Sequence, residues 1–320
     1  MSLKKVIQEI RKRDNFLISS HVSPEGDAIG SELAFKNLLE RLGKHSFIVN
    51  DHDVPREYKF LPGVNSICKP NQVHYFEVVV TLDCSDLERI GKVRRLIKPG
   101  TFIINIDHHI SNSGFGDINW VEPKSSCVCE MIYKLFQGLK IRPDKAAAVA
   151  MYTGILTDTG SFHYSNTTSF THQVVSKLLQ KNIPVSRIYR EIYESYSLAQ
   201  IKFLGKMISQ FNSHNHDKIV WLSLKRNIKD FGEGALELAD SILNFARAVK
   251  NAEVVLLFKE IGINEVRVNL RSRGNIDVNR LAKTFGGGGH KTASGFTTKG
   301  QISTVERQVL KEVKKAFLRS

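Results

Sequence analysis

Three short apolar runs in the first third of the chain each end on an acid or a histidine, and this pattern limits the fold more than any other feature. Phe16-Leu17-Ile18 leads into His21, Glu77–Leu82 into Asp83, and Thr101–Ile106 into Asp107-His108-His109. Ser46–Val49 gives a fourth strand-like run. Helical patterns alternate with them. One runs from Ala28 to Leu42 and is stopped by Gly43, an Ala-rich one from Lys145 to Thr157 delivers Asp158, and another covers Ser169 to Gln180. Such alternation predicts βαβ units and a mostly parallel sheet. The carboxyl ends of parallel strands face one crevice, where ligands bind. The histidines and acids are therefore expected to meet there.

A lone acid after a strand is usually a cap or turn residue. Four such coincidences with histidines among them point to a site. In His21-Val22-Ser23-Pro24-Glu25-Gly26-Asp27, one imidazole and two carboxylates lie within seven residues bent by Pro24 and Gly26. Imidazole and carboxylate donors without thiolate suit Mn²⁺, Mg²⁺ or similar ions rather than a structural zinc. Neighbours at a strand end point opposite ways, so one of His108 and His109 can ligate while the other faces substrate. Two histidines with Glu25, Asp27, Asp83 and Asp158 are enough for two ions sharing a carboxylate, the arrangement that serves in-line displacement at phosphorus.

Charge and composition bound the rest. The 320 residues carry a net charge of +14. Residues 1–188 hold 24 basic and 19 acidic side chains, and residues 189–320 hold 22 and 13, so the second part is the more basic and points to an anionic partner. No apolar run reaches the roughly 18 residues of a membrane span. The charged N-terminus lacks a signal-peptide apolar region. Of the four cysteines, Cys127 and Cys129 are one residue apart, which suits buried thiols rather than a metal or redox pair. A cytoplasmic protein that touches no membrane is expected.

Tyr189 to Ser213 reads as one long helix running into the polar stretch Asn212–Asp217, where the domain junction is placed. Beyond it come a strand over Lys218–Leu224, a helix over Gly234–Val249, strands near Ala252–Phe258 and Glu265–Leu270, a short helix capped by Asp277, and a terminal helix from Ser303 to Leu318. Gly286–Gly289 is expected to break all regular structure. The fold class is thus α/β: a parallel-sheet catalytic domain over residues 1–188, a helical linker over 189–216, and a smaller α/β substrate-binding domain over 217–320. Glycines let a backbone approach a ligand and turn N–H groups towards anionic oxygens. Arg271 can fork onto a phosphate, His290 and Lys291 add charge beside Gly287, Gly288 and Gly289, and Arg273 alternates with Arg271 along a strand.

These segments together resemble a known family. His21-x-x-Pro24-Glu25-Gly26-Asp27-Ala28-Ile29-Gly30-Ser31, Leu82-Asp83-Cys84-Ser85-Asp86, Asp107-His108-His109 and Thr157-Asp158-Thr159-Gly160-Ser161-Phe162 resemble, in order, the motifs of the DHH phosphoesterases. Asn269–Arg273 and Gly286–Phe296 resemble the DHH-associated substrate-binding domain. Length and layout look most like the nanoRNase/pAp phosphatase branch. The resemblance implies an enzyme dependent on two divalent ions, Mn²⁺ first with Mg²⁺ or Co²⁺ as alternatives. Its substrates would be very short oligonucleotides, dinucleotides such as pGpG, and the 3′-phosphate of pAp. It also implies that His21, Glu25 and Asp83 hold one ion and Asp27, Asp83, His108 and Asp158 the other. Asp107 would orient His108, and His109 would face the scissile phosphate. The family carries Asp where this chain has Glu25. A cyclic-dinucleotide phosphodiesterase, a catalytically weak nucleotide-binding regulator and a homodimer stay open as alternatives.

Overall fold

In the first unit, strands pair side by side, and the central ones are buried on both faces. The computed structural model describes residues 2–72, 75–225 and 242–318, and the chain divides into two units, Met1–Ser195 and Tyr196–Ser320. The first holds β1 (Phe16–Ser19), β2 (Ser46–Val49), β3 (Ile67–Cys68), β4 (Val78–Leu82), β5 (Phe102–Asp107) and β6 (Ile118–Val121). All pair in parallel in the order β3-β2-β1-β4-β5-β6. Phe16 and Ile18 enter one apolar cluster, while Leu17 between them enters another on the opposite face. Double-sided burial is what makes such strands read as unbroken apolar runs.

The strand order reverses between β1 and β4. That is the switch point at which a crevice opens beyond the strand ends, and His21 and Asp83 follow those two strands.

The helices are α1 (Ser2–Lys12), α2 (Gly26–Arg41), α3 (Val128–Gly138), α4 (Lys145–Asp158), α5 (Ser169–Leu179) and α6 (Val185–Tyr193). Helices α2 and α4 approach closely because glycines lie between them. A Cβ on Gly30 would sit 2.4 Å from the Ala150 carbonyl oxygen, and one on Gly26 2.4 Å from Thr157 Oγ1. This contact brings Asp27, in the first turn of α2, near Asp158, the last residue of α4. The sequence reading had no strand at β6 and no helix at α3.

The single helix expected over Tyr189–Ser213 is two helices. The first, α6, ends at Tyr193, and α7 (Leu198–Ile208) starts anew from a capping box in which Ser197 and Gln200 bond each other's backbone N–H. In the second unit, Phe203, Leu204 and Met207 of α7 pack into a core with Val220 and Leu222.

That unit holds β7 (Asn212–His214), β8 (Ile219–Leu224), β9 (Val254–Gly262), β10 (Glu265–Ser272), β11 (Gly288–Gly289) and β12 (Ala293–Lys299) in the order β11-β12-β10-β9-β8-β7. Among the described residues only the β8–β9 pair in this sheet is parallel. A short helix, Val278–Lys283, is capped by the Asp277 side chain, and the last helix is Ile302–Phe317. Half of the helix expected over Gly234–Val249, residues 234–241, lies outside the described residues; residues 242–247 are helical. The glycine run does not end regular structure, because Gly288 and Gly289 pair with Gly295 and Ser294.

Candidate active site

Strand β1 delivers His21 into a loop closed by the start of α2. His21 is buried; its Nδ1 lies 2.8 Å from the Val22 carbonyl, and its Nε2 is 3.3 Å from Asp83 Oδ2. Asp27 is also buried and reaches across to α3. The Val128 N–H donates to Asp27 Oδ2 at 2.7 Å and the Cys129 N–H to Oδ1 at 2.8 Å. The first N–H groups of a helix have no partner within it, and its N-terminus favours negative charge. Asp27 supplies both needs for α3, whose own N-cap residue, Cys127, makes no side-chain cap bond.

Asp83 follows β4 with φ of 58°, a left-handed conformation that an ordinary side chain resists. Its N–H donates to the Ile106 carbonyl of β5. The carboxylate faces three imidazoles, with Oδ2 towards His21 and Oδ1 at 3.6 Å from His108 Nε2 and 3.4 Å from His109 Nδ1. His108 Nε2 also lies 3.7 Å from Asp158 Oδ2.

Burial lifts the Asp27 and Asp158 carboxyls, the charge of Asp83 lifts both further and that of Asp27 adds to Asp158, although His108 opposes this. Burial acts the same way on Asp83, but the hydrogen bond from His21 and the charges of His109, His21 and His108 win and hold it below its ordinary value. Burial lowers His108, yet Asp158, Asp83, Asp27 and Asp107 together push it up to about 9. Acids crowded out of water in this way call for a cation.

The donors fit one. Among the described residues, two groups have donor atoms within 4.8 Å of one another: Asp83, His108 and His109, and Asp27, His108 and Asp158. Asp83 Oδ1 and Asp158 Oδ2 are buried without a hydrogen-bond partner. Two such orphaned carboxylate oxygens, beside imidazole nitrogens, are what hard or borderline divalent ions bind.

One expectation changes here. Asp107 holds His108 through its backbone N–H and not through its ring. Its Oδ1 takes the His109 Nδ1 at 2.7 Å and the His108 backbone N–H at 2.8 Å, while His108 Nδ1 faces the Ser125 carbonyl at 3.4 Å. Glu25 is exposed at the N-cap of α2 and belongs to neither donor group. Sequence reasoning also missed Ser125, the α3 backbone that holds Asp27, and Asn112, whose side-chain amide donates to Asp107 Oδ2 at 2.6 Å.

In the second unit, Arg271 is half-buried and sits opposite Ala293 on β12. A Cβ on Gly287 would lie 2.3 Å from the Gly295 carbonyl, and one on Gly289, which has φ of 141°, 2.5 Å from that of Ala293. Glycine is thus required for the β11–β12 pairing itself. His290 is exposed, and its N–H donates to the Ala293 carbonyl. Arg273 was expected to line the same face as Arg271. Instead its guanidinium donates to the carbonyls of Arg247, Val249 and Lys250, a structural cap on the segment that follows residues 242–247.

The chain matches two family models, one described as the DHH family, N-terminal domain, over residues 15–155, the other as the DHHA1 domain over residues 233–318. It is 31% identical over 305 residues to the bifunctional oligoribonuclease and PAP phosphatase NrnA of Thermus thermophilus, covering 95% of this chain and 90% of that one. It is 29% identical over 296 residues to the protein of the same name from Bacillus subtilis, covering 91% of each. The crystal structure of an exopolyphosphatase-related protein from Bacteroides fragilis matches it with a TM-score of 0.91 at 27% identity, over 100% of this chain and 98% of that one. Among the described residues no helix is long and apolar enough to cross a membrane. With the strand-end motifs gathered at the switch point and both domains matched, the chain belongs to the DHH family of metal-dependent phosphoesterases and carries the DHHA1 domain.

Proposed function

We propose that the protein hydrolyses very short oligoribonucleotides, dinucleotides such as pGpG among them, to mononucleotides, and removes the 3′-phosphate of pAp. The observation that carries this reading is the buried Asp83 carboxylate, set among three imidazoles with one oxygen unpartnered. The names of the Thermus thermophilus and Bacillus subtilis relatives support the substrate class.

His21 and Asp83 would hold one divalent ion, with Glu25 the further carboxylate of that loop. Asp27, Asp83, His108 and Asp158 would hold the second. Mn²⁺ is the ion proposed first, with Mg²⁺ or Co²⁺ as alternatives. Bound there, such ions supply Lewis-acid polarisation of the phosphoryl group and neutralise its charge. The chain's own groups do the rest. Asp107 accepts the proton-bearing Nδ1 of His109, which fixes the ring and leaves Nε2 as the nitrogen that can meet the scissile phosphate or its leaving oxygen. Arg271, Gly287, Gly288, Gly289 and His290 would take an anionic group elsewhere on the substrate. Arg273 is left out of that role because its donors are engaged. The buried, unpaired Cys84, Cys127 and Cys129 suit the reducing cytoplasm.

The test is a panel of pAp, pGpG and labelled two- to seven-mers with Mn²⁺, before and after chelation, with products resolved over time. Mononucleotide or phosphate release that is fastest on the shortest chains and stops on chelation is expected. Processive degradation of a twenty-mer, or release that survives chelation, would overturn the reading.

A further inference from the structure

We propose that Asn112 is a positioning residue for this reaction, aiming His109 through Asp107 and steadying the turn that carries Asp83. Its effect on rate rests on the functional reading above; its effect on His109 does not.

Asn112 lies three residues beyond His109, and its N–H donates to the His109 carbonyl. Its Nδ2 is 2.6 Å from Asp107 Oδ2, 2.7 Å from Asn105 Oδ1 and 3.1 Å from the Cys84 carbonyl. An amide nitrogen has two hydrogens, so the two short contacts take one each and the Cys84 carbonyl shares. The Gly114 N–H donates to Asn112 Oδ1 at 2.8 Å, which settles which end of the amide faces Asp107.

Asp107 is fully buried, and both bonds that orient the catalytic pair, to His109 Nδ1 and to the His108 N–H, use its Oδ1. Oδ2 has Asn112 as its hydrogen-bond donor. Without that amide, half of a buried carboxylate would lack a donor, and its plane would be free to turn away from His109. The same amide reaches the other side of the site. The Cys84 carbonyl, one residue past the left-handed Asp83, also accepts from Asn105 Nδ2 at 3.0 Å. Asn105 is itself fully buried and donates to Thr81 Oγ1 at 2.9 Å. A strained residue persists only where its surroundings over-determine it, and these two asparagines do so here. A loop-stabilising asparagine would need only the bond to Gly114. This one joins the Asp83 turn to the Asp107–His109 pair.

The experiment compares wild type, Asn112→Ala and Asn112→Asp, each alone and with His109→Ala, on pGpG and pAp with saturating Mn²⁺. Each protein is also labelled with ¹⁵N-histidine and examined by NMR without metal. Removing such an outer hydrogen bond typically costs about 10–100-fold, so kcat should fall by that much with KM little changed. In the His109→Ala background Asn112→Ala should cost clearly less than it does alone, because the group it aims is gone and only the Asp83 turn is left to disturb. In metal-free wild type the His109 Nδ1–H should be protected, and in both variants it should exchange. If Asn112→Ala does not fold, the same-sized Asn112→Asp supplies every readout. Unchanged kcat, losses that add in the His109→Ala background, or an undisturbed Nδ1–H signal would overturn the proposal. If wild type cleaves neither substrate, the functional reading fails alone, and the Nδ1–H signal still decides the role of Asn112.

Discussion

Asp27 and Cys129 are 102 positions apart, yet the Cys129 N–H donates to Asp27 Oδ1 at 2.8 Å, so a candidate metal ligand is also the cap of a distant helix. Asp27→Ala should therefore do two separable things. It should remove a donor from the second metal set, and it should uncap α3. Loss of a cap costs about 1–2 kcal/mol. Urea unfolding of the metal-free variant should show a loss of that order; an unchanged midpoint would mean the cap contributes nothing.

Histidines 108 and 109 should separate by what they lose. His108 faces Asp83 and Asp158, so His108→Ala should lower metal occupancy. His109 is committed through Nδ1 to Asp107, so His109→Ala should keep its metal and lose turnover. Metal analysis of the two purified variants decides this, and equal loss in both would reverse the assignment.

Glycine 30 permits the contact that brings Asp27 and Asp158 together. A methyl there would lie 2.4 Å from the Ala150 carbonyl, a backbone atom that cannot swing away. Gly30→Ala should destabilise by about 1–3 kcal/mol, the scale of overpacking, and should weaken metal binding as well. A variant with wild-type melting temperature and metal affinity would show that the helices part without consequence.

Glu32, on α2, is buried, and its carboxyl is pushed up to about 7. Burial is the main cause and the charge of Asp83 adds to it, against the hydrogen bond from Asn50 and the charge of His21. The unfolded chain would titrate near 4.5. Between those values the native state holds the extra proton, so stability should fall as pH rises from about 4.5 to about 7. Glu32→Gln should remove that slope and exceed wild type at pH 8 by on the order of 2–3 kcal/mol. Chelated protein unfolded in urea across this range provides the check, and parallel curves for the two proteins would contradict it.

What was legible in the sequence followed from local physics. Strands β1, β4 and β5 are buried on both faces and declare themselves as unbroken apolar runs, and the acids at their ends mark the site. Helix α3 was not legible because its cap comes from Asp27, far upstream. The break before α7 could have been read, since Ser197-x-x-Gln200 is a capping box written in the chain. The Asp107 partner could have been read too. Residues i and i+2 share a face of an extended segment, which pairs Asp107 with His109 and not with His108. For Arg273 the same alternation misleads, because β10 ends at Ser272 and the next side chain is free to turn towards the Arg247 carbonyl.

One carboxylate, Asp83, is proposed to serve two cations. Mn²⁺ titration of wild type and Asp83→Ala by calorimetry, with turnover of pGpG followed on the same samples, tests it most directly. Two ions per wild-type chain are expected. In Asp83→Ala both binding steps should weaken, and turnover should drop by several orders of magnitude, as befits a rate that depends on metal activation. An Asp83→Ala protein that still binds two ions with unchanged affinity, or keeps more than about a tenth of wild-type turnover, would contradict the account.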